Sequence, residues 1–380
     1  MICKIFWGIT VFVCFFLSAC QSSVQNLSVA QYDGEEVLSL DEKNVNEVRT
    51  VKLSELVDDF RIINFENIDD AFFKSSWMYF SDNYILVRQN NAPLKLFNQV
   101  GKFLTDVGDF GQGPGEYKSV YDVLIDETNE CVYMLPMVGN SIYKYNLSGN
   151  FLGKIELEEK INKGRIFLQP DNVLSLVQLC FKDLGEKYTG VNVFLEYPDS
   201  IQYVYAEQLA SNMKNTAGER TGFDNEIWSY RNMDKFAFMM THADTLYHYD
   251  SSGNRIKARF SMKIDSEKLK DNFFILNEFP HHYFIIITGE SGRNILVEKE
   301  NQIAYEANLV NDFMGNMKFY PQFQDGYFYC NLEPGDLKEK IENHLKSGGC
   351  PEEQIEALRR LASTLNENDN NILLLGKLRK

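Results

Sequence analysis

A chain of 380 residues with a formal charge of −16 and 13% aromatic residues has the length of two or three ordinary domains, or of one closed repeat array. The acidic balance, with no cluster of Lys and Arg, excludes a nucleic-acid surface and opposes adsorption to an anionic membrane. The supply of aromatic and β-branched residues suits strands packed face to face.

The first element is a targeting segment. Lys4 precedes an apolar run at 5–17 that is shorter than the ~20 residues a membrane-spanning helix needs. The run ends in Leu17-Ser18-Ala19-Cys20, which resembles the lipobox of bacterial lipoproteins. That resemblance implies a signal peptide at 1–19 and a lipidated Cys20, whose acyl chains would hold the protein at a membrane. Residues 20–44 are expected to be a lipid-anchored flexible tether. No Asp follows Cys20 directly, so the expected location is the outer membrane, with the domain facing the periplasm. Cys131, Cys180, Cys330 and Cys350 remain after processing. The compartment permits disulfides among them, but Cys131 and Cys180 sit in apolar strand text that favours buried thiols.

From residue 45 onward the text is β. Residues 94–104, 142–152 and 246–256 read LKLFNQVGKFL, IYKYNLSGNFL and LYHYDSSGNRI, each two strands around a tight turn. Their glycines, Gly101, Gly149 and Gly253, are spaced by one and two units of about fifty residues. Degraded copies stand at 193–203 and 295–305. All-β self-similarity at this period predicts a β-propeller with one four-stranded blade per repeat. Opening hairpins are read at 76–88, 120–135, 165–181, 227–240, 273–288 and 320–332. The count is six blades, with five or seven left open should a degenerate unit be miscounted. Two helices interrupt the sixth unit, an insertion at about 335–366. A final strand at 372–378 is expected to pair with the N-terminal strand text at 48–65 and close the ring, which removes a sheet edge.

Between the first two units lies a glycine-rich loop, Gly108 to Tyr117, containing Gly111-Gln112-Gly113-Pro114-Gly115-Glu116-Tyr117. It lacks the Gly-Lys-Ser/Thr of a phosphate loop and the dinucleotide glycine spacing. This loop, the lipobox, the repeated hairpin phrase and the terminal Asn370-Asn371-Ile372 strand together resemble the six-bladed β-propeller lipoproteins of Gram-negative gut anaerobes, a family similar to NHL-repeat and TolB-like propellers. The resemblance implies fold and location and no agreed activity.

For chemistry, the loops that feed the channel mouth are the candidates. Gln112, Glu116, Tyr117, Asn225, Trp228 and Tyr320 combine polar and aromatic groups suited to a glycan, a peptide or a protein partner. His281 and His282 are adjacent and point to opposite faces, and His242 and His248 lie across strand text, so no metal set is expected. No nucleophile motif appears. The leading expectation is a lipid-anchored, non-catalytic binding or scaffolding module without a cofactor, its partners the membrane through the anchor and an outer-membrane protein or ligand. The competing reading is an NHL-like or lactonase-like metal-dependent hydrolase or lyase, with Glu116 and Asn225 beside a channel calcium.

Overall fold

The repeated phrase folds as the outer hairpin of a sheet. Asn98 Oδ1 accepts from the backbone N–H groups of Val100 and Lys102, and Asn146 Oδ1 does the same for Ser148 and Asn150. These side chains bridge their own turns, as short Asx residues do. Gly101 and Gly149 adopt φ +83°, where a side chain is strained. In the third copy the positive φ falls on Asn254 rather than Gly253. The glycine also serves packing between sheets. A Cβ on Gly101 would run into the Asn64 carbonyl, and one on Gly149 into the Asp106 carbonyl of the neighbouring sheet.

The computed structural model describes residues 26–32, 34–74, 77–169, 173–179, 181, 191–196, 200–204, 209–210, 226–241, 243–265, 273–289 and 292–380. Cys20, Cys180, Asn225 and His242 lie outside them. The strands form an all-β propeller, its sheets following one another in chain order. Sheet 1 comprises Trp77–Phe80, Tyr84–Arg88, Leu94–Asn98 and Phe103–Val107. Sheet 2 comprises Asp122–Asp126, Cys131–Leu135, Val138–Asn146 and Phe151–Asn162. Sheet 3 is Gly164–Leu168, Leu174–Gln178, Val191–Glu196 and Ser200–Val204. Sheet 4 is built on Ile227–Trp228, Ala237–Met240, Thr245–Asp250 and Arg255–Lys263. Sheet 5 holds Phe274–Glu278, His282–Ile287, Arg293–Glu298 and Ile303–Val310. Sheet 6 holds Gln322–Gln324, Tyr327–Leu332, Ile372–Leu378 and Val57–Asn64.

Five of these sheets carry described side chains on every strand and stand as blades. In sheet 3 the strand Val191–Glu196 is described by its backbone alone, as is all of Ser200–Val204 except Val204. The expectation of six four-stranded blades is thus corrected to five established blades, with sheet 4 widened to six strands and sheet 5 to five. Apolar clusters fill the spaces between neighbouring sheets, such as Leu86, Leu96, Val123 and Tyr145 between sheets 1 and 2.

The N-terminal text departs from expectation. Leu27–Tyr32 and Glu35–Asp41, read as tether, form an antiparallel hairpin whose second strand runs parallel to Arg255–Lys263, extending sheet 4 to six strands. Val37 and Leu40 are buried there, and Ser261 Oγ donates to Ser39 Oγ at 2.8 Å. Val48–Lys52 adds in parallel to Ile303–Val310 of sheet 5. Only Val57–Asn64 pairs with the terminal strand Ile372–Leu378, antiparallel, from Ile372↔Asn64 to Leu378↔Val57. The closing strand text at 48–65 is therefore split between two sheets. The helices Pro334–Ser347 and Glu352–Thr364 stand where the insertion was read, with Leu337, Ile341 and Leu358 buried in the cluster shared by sheets 5 and 6. Among the described residues no helix is long and apolar enough to cross a membrane.

Candidate functional site

The chain enters each sheet at the same mouth of the channel, and it does so repeatedly with an aromatic residue. Trp77 begins sheet 1, Tyr121 precedes Asp122 of sheet 2, Trp228 lies in the first strand of sheet 4, Phe273 precedes Phe274 of sheet 5, and Tyr320 lies just ahead of sheet 6. In sheet 3 the place is taken by Arg165. Trp77, Arg88, Arg165, Trp228, Phe273, Asn277, Tyr320 and Gln322 line a cavity of about 280 Å³ at this mouth. Trp77 and Tyr320 are 50% and 67% exposed, which leaves ring surface open beside the cavity they line.

Two guanidinium groups converge in the wall. Arg88 lies 4.1 Å from the centre of the Trp77 ring and donates to the Tyr121 carbonyl at 2.9 Å. Arg165 donates to the same carbonyl at 3.4 Å, to the Ile227 carbonyl at 3.0 Å, and pairs with Asp122 at 3.3 Å. Trp228 stacks on Phe273 with centroids 5.6 Å apart, its indole N–H donating to Thr241 Oγ1 at 3.1 Å. The Tyr121 hydroxyl and Lys163 both meet Glu226.

The floor is a single segment of sheet 4. Its first strand is only two residues long, after which Tyr230, Arg231 and Asn232 cross the channel. Arg231 takes φ +50°, and its side chain is 4% exposed. Its guanidinium donates to Asp122 at 2.8 Å, Asp325 at 2.7 Å, and the carbonyls of Val123 and Ile166 at 2.8 and 3.1 Å. Asp325 in turn accepts from the Phe80 N–H at 3.0 Å. Asn232 donates to Asn277 at 3.0 Å and the Phe323 carbonyl at 3.3 Å, and accepts from the Gly326 N–H at 2.8 Å. With the Arg231 guanidinium also 5.5 Å from the centre of the Tyr79 ring of sheet 1, this one segment touches every other sheet. Burial alone would lower the Arg231 pKa, but Asp122 and Asp325 raise it. Burial pushes the Asp325 carboxyl up, against the pull of Arg231. Such buried charges persist because each is paired and hydrogen-bonded.

Below the floor a hollow of about 520 Å³ opens at the opposite mouth, lined by Asp82, Asp126, Glu127, Asp234, Lys377 and Lys380 among others. It is larger but holds few rings, and its charges are mixed. The upper cavity has the composition of a recognition site: apolar faces with a few convergent polar groups.

The glycine-rich loop stands elsewhere. Asp109–Phe110 and Glu116–Tyr117 pair in parallel as a two-stranded sheet. Glu116 accepts from the Gly113 N–H at 2.8 Å, and the Tyr117 hydroxyl donates to Val107 and accepts from Leu94 at 2.6 and 2.7 Å. Tyr145 donates to the Gly115 carbonyl at 3.0 Å. The loop is knitted to sheets 1 and 2, and Gln112, Glu116 and Tyr117 border a separate hollow of about 250 Å³. Of the six expected ligand-binding residues, then, the structure brings Trp228 and Tyr320 together at the upper mouth and places Gln112, Glu116 and Tyr117 apart. Asn225 lies outside the described residues, so the pairing of Glu116 with Asn225 has no geometry to report.

Trp77, Arg88, Arg165 and the Arg231 floor were missed. Superposing the repeats at the head of each first strand would have revealed the recurring aromatic position. Arg231 carries no such signal, because a polar residue in a polar segment reads as solvated.

Among the described residues no group of three or more His, Cys, Asp or Glu is placed to hold a metal ion. Cys131, Cys330 and Cys350 are free thiols, and burial pushes Cys131 and Cys330 up to about 11.

The fold is similar to that of a Bacteroides fragilis protein named for its export, at 16% identity over 90% of this chain and 99% of that one, with a TM-score of 0.62. A DUF4221 family member from Bacteroides vulgatus is similar at 11% identity over 85% and 97% of the two chains, with a TM-score of 0.49. The extracellular domain of a Bacteroides thetaiotaomicron protein named as a one-component system shares 16% identity over 64% of this chain and 29% of that one, with a TM-score of 0.38. No curated protein matches the chain. The family profile that matches covers residues 35–377, nearly the whole of the folded text, and the chain belongs to that family, described as a domain of unknown function, DUF4934.

Proposed function

We propose that the protein is a lipid-anchored binding or scaffolding propeller of the bacterial cell envelope, taking its ligand at the aromatic mouth. The observation that carries this reading is the exposed Trp77 and Tyr320 above a channel closed by Arg231. A closed floor makes the mouth a shallow receptor rather than a passage. The buried carboxylates beneath it, Asp122 and Asp325, are committed to Arg231 and Arg165, which argues against their use as acid and base in the competing hydrolase reading. A glycan or peptide fits a wall of rings and amides; a protein partner is the alternative.

The same reading takes sheet 3 as a sixth blade. Sheet 3 has the strand order of the others, and its Ile166 carbonyl accepts from Arg231 like the groups of the established blades. Apolar clusters separate sheet 3 from both neighbours. The lipobox ending at Cys20 supports anchoring, and the absence of Asp after it supports an outer-membrane, periplasm-facing position. Metabolic labelling with an alkyne fatty acid should mark the wild type and not Cys20→Ser; equal labelling would remove the anchor from the proposal.

The binding reading is tested by screening the protein against arrays of envelope and polysaccharide glycans and of peptides. A ligand bound by the wild type should be lost in Tyr320→Ala and Trp77→Ala. A ligand retained by both variants would place its site away from this mouth.

A further inference from the structure

We infer that the mouth is selective for an acidic saccharide, the sugar ring stacking on Trp77 or Tyr320 and its anionic substituent held by Arg88. This rests on the binding reading above and names its ligand class. In a chain of net charge −16, the wall of this cavity is locally cationic. Arg88 and Arg165 line it and, among the described residues, no carboxylate does, while Asp122 and Asp325 lie behind the wall and at the floor, where Arg165 and Arg231 pair with them. Arg165 and Arg231 share Asp122, and Arg231 takes Asp325. Glu226 is engaged by Lys163 and the Tyr121 hydroxyl. Arg88 has the Tyr121 carbonyl as its polar acceptor and the Trp77 ring as its platform, with no carboxylate in ion-pair range among the described residues.

A guanidinium has five N–H donors, and the Tyr121 carbonyl engages one side of a group that lines the cavity. Held 4.1 Å from the centre of the Trp77 ring and tied to the Tyr121 carbonyl, the group is already placed for a bidentate anion, so little freedom is lost on binding. The second guanidinium at the same carbonyl adds to the local potential. Carboxylate and sulfate share this chemistry.

A saccharide is favoured over a peptide by what the mouth presents. The inner carbonyls of Val123, Ile166, Ile227 and Phe323 each already accept from Arg231, Arg165 or Asn232. Tyr320 and the half-exposed Trp77, one face of which carries Arg88, offer ring surface on which a sugar stacks, and Gln322 lines the wall with an amide.

The test is calorimetric titration of the full chain in detergent with two matched pairs. One pair is oligogalacturonate and its fully methyl-esterified form, and the other is sulfated and desulfated carrageenan oligosaccharides. At least one acidic member should bind about tenfold more tightly than its neutral counterpart. In Arg88→Gln the ratio should fall to about one, and in Arg88→Lys it should lie between, with thermal unfolding reporting that both variants fold. Equal affinity within both pairs overturns the anionic assignment while a loss of that binding in Tyr320→Ala leaves the mouth standing as the site. Binding by no member of either pair, or a preference that survives Arg88→Gln, overturns the inference as well.

Discussion

Arg231 Nε donates to Asp325 Oδ1 at 2.7 Å on the channel axis, joining sheet 4 to sheet 6 across the bore. Asp325 Oδ2 meanwhile holds the Phe80 N–H of sheet 1, so one carboxylate ties together the first and last units of the ring. Removing the guanidinium leaves two buried carboxylates with reduced company. Arg231→Met should therefore cost about 3–5 kcal/mol in denaturant unfolding, the range for breaking a buried pair on one side only. A midpoint within experimental error of the wild type would mean the axis is wet enough to solvate Asp122 and Asp325.

Tyr320 should behave in the opposite way. It is 67% exposed, so Tyr320→Ala is expected to shift stability by less than about 0.5 kcal/mol. Its effect belongs to ligand affinity. Thermal unfolding paired with titration separates the two, and a large fall in melting temperature would assign the ring to packing.

The pH dependence of stability has a definite sign at His248. Burial, with Arg259 and Lys235 nearby, lowers its pKa from 6.5 to about 4. Its Nδ1 is buried without a hydrogen-bond partner. The unfolded chain thus takes up this proton more readily than the folded one. The stabilisation is complete above pH 6.5 and is lost as pH falls through 6.5 toward about 4, by about 1–2 kcal/mol after allowance for partial exposure. Burial also lowers the His282 pKa, so its contribution runs the same way. Denaturant unfolding between pH 7.5 and 4 should be flatter in His248→Gln; an unchanged slope would acquit the residue.

The two roles of the turn glycines can be separated by substitution. Gly149→Ala meets both a strained φ of +83° and the Asp106 carbonyl, whereas Gly34→Ala meets only strain at φ +81° with open space around it. The first should cost more than about 2 kcal/mol and the second about 1 kcal/mol. Equal losses would mean that the contact between sheets relaxes freely.

Truncation tests the N-terminal strap. Deleting residues 26–41 strips Val37 and Leu40 from the core and bares the outer edge of sheet 4. The burial of these two side chains is worth about 3 kcal/mol or more, and a bare edge invites pairing with another chain. The truncated protein should melt earlier and show larger species in size-exclusion chromatography. A monomer of unchanged stability would show the hairpin to be an ornament.

Much of the architecture was legible because its information is local. Asn98 and Asn146 bridge their own turns, and Gly101 and Gly149 supply the positive φ, all within a few residues of chain. Repetition of that phrase implied a ring of hairpins, and the two helices stand where the insertion at about 335–366 was expected, with Leu337, Ile341 and Leu358 buried. The candidate site was only half legible. Trp228 and Tyr320 were found as aromatic residues at loop ends, but the same reasoning gathered Gln112, Glu116 and Tyr117, which fold against their own sheets.

What the amino-acid text determined by itself was the repeating hairpin, since turn chemistry and strand alternation act over neighbours. Tertiary structure alone decided which edge each N-terminal strand would join, because Leu38 meets Phe260 and Val48 meets Glu306 through backbone groups that every residue carries alike. It also decided that Arg231 would be buried. A guanidinium enters the interior only when Asp122, Asp325 and the carbonyls of two other sheets converge to replace its water, and that convergence exists only once the ring has closed.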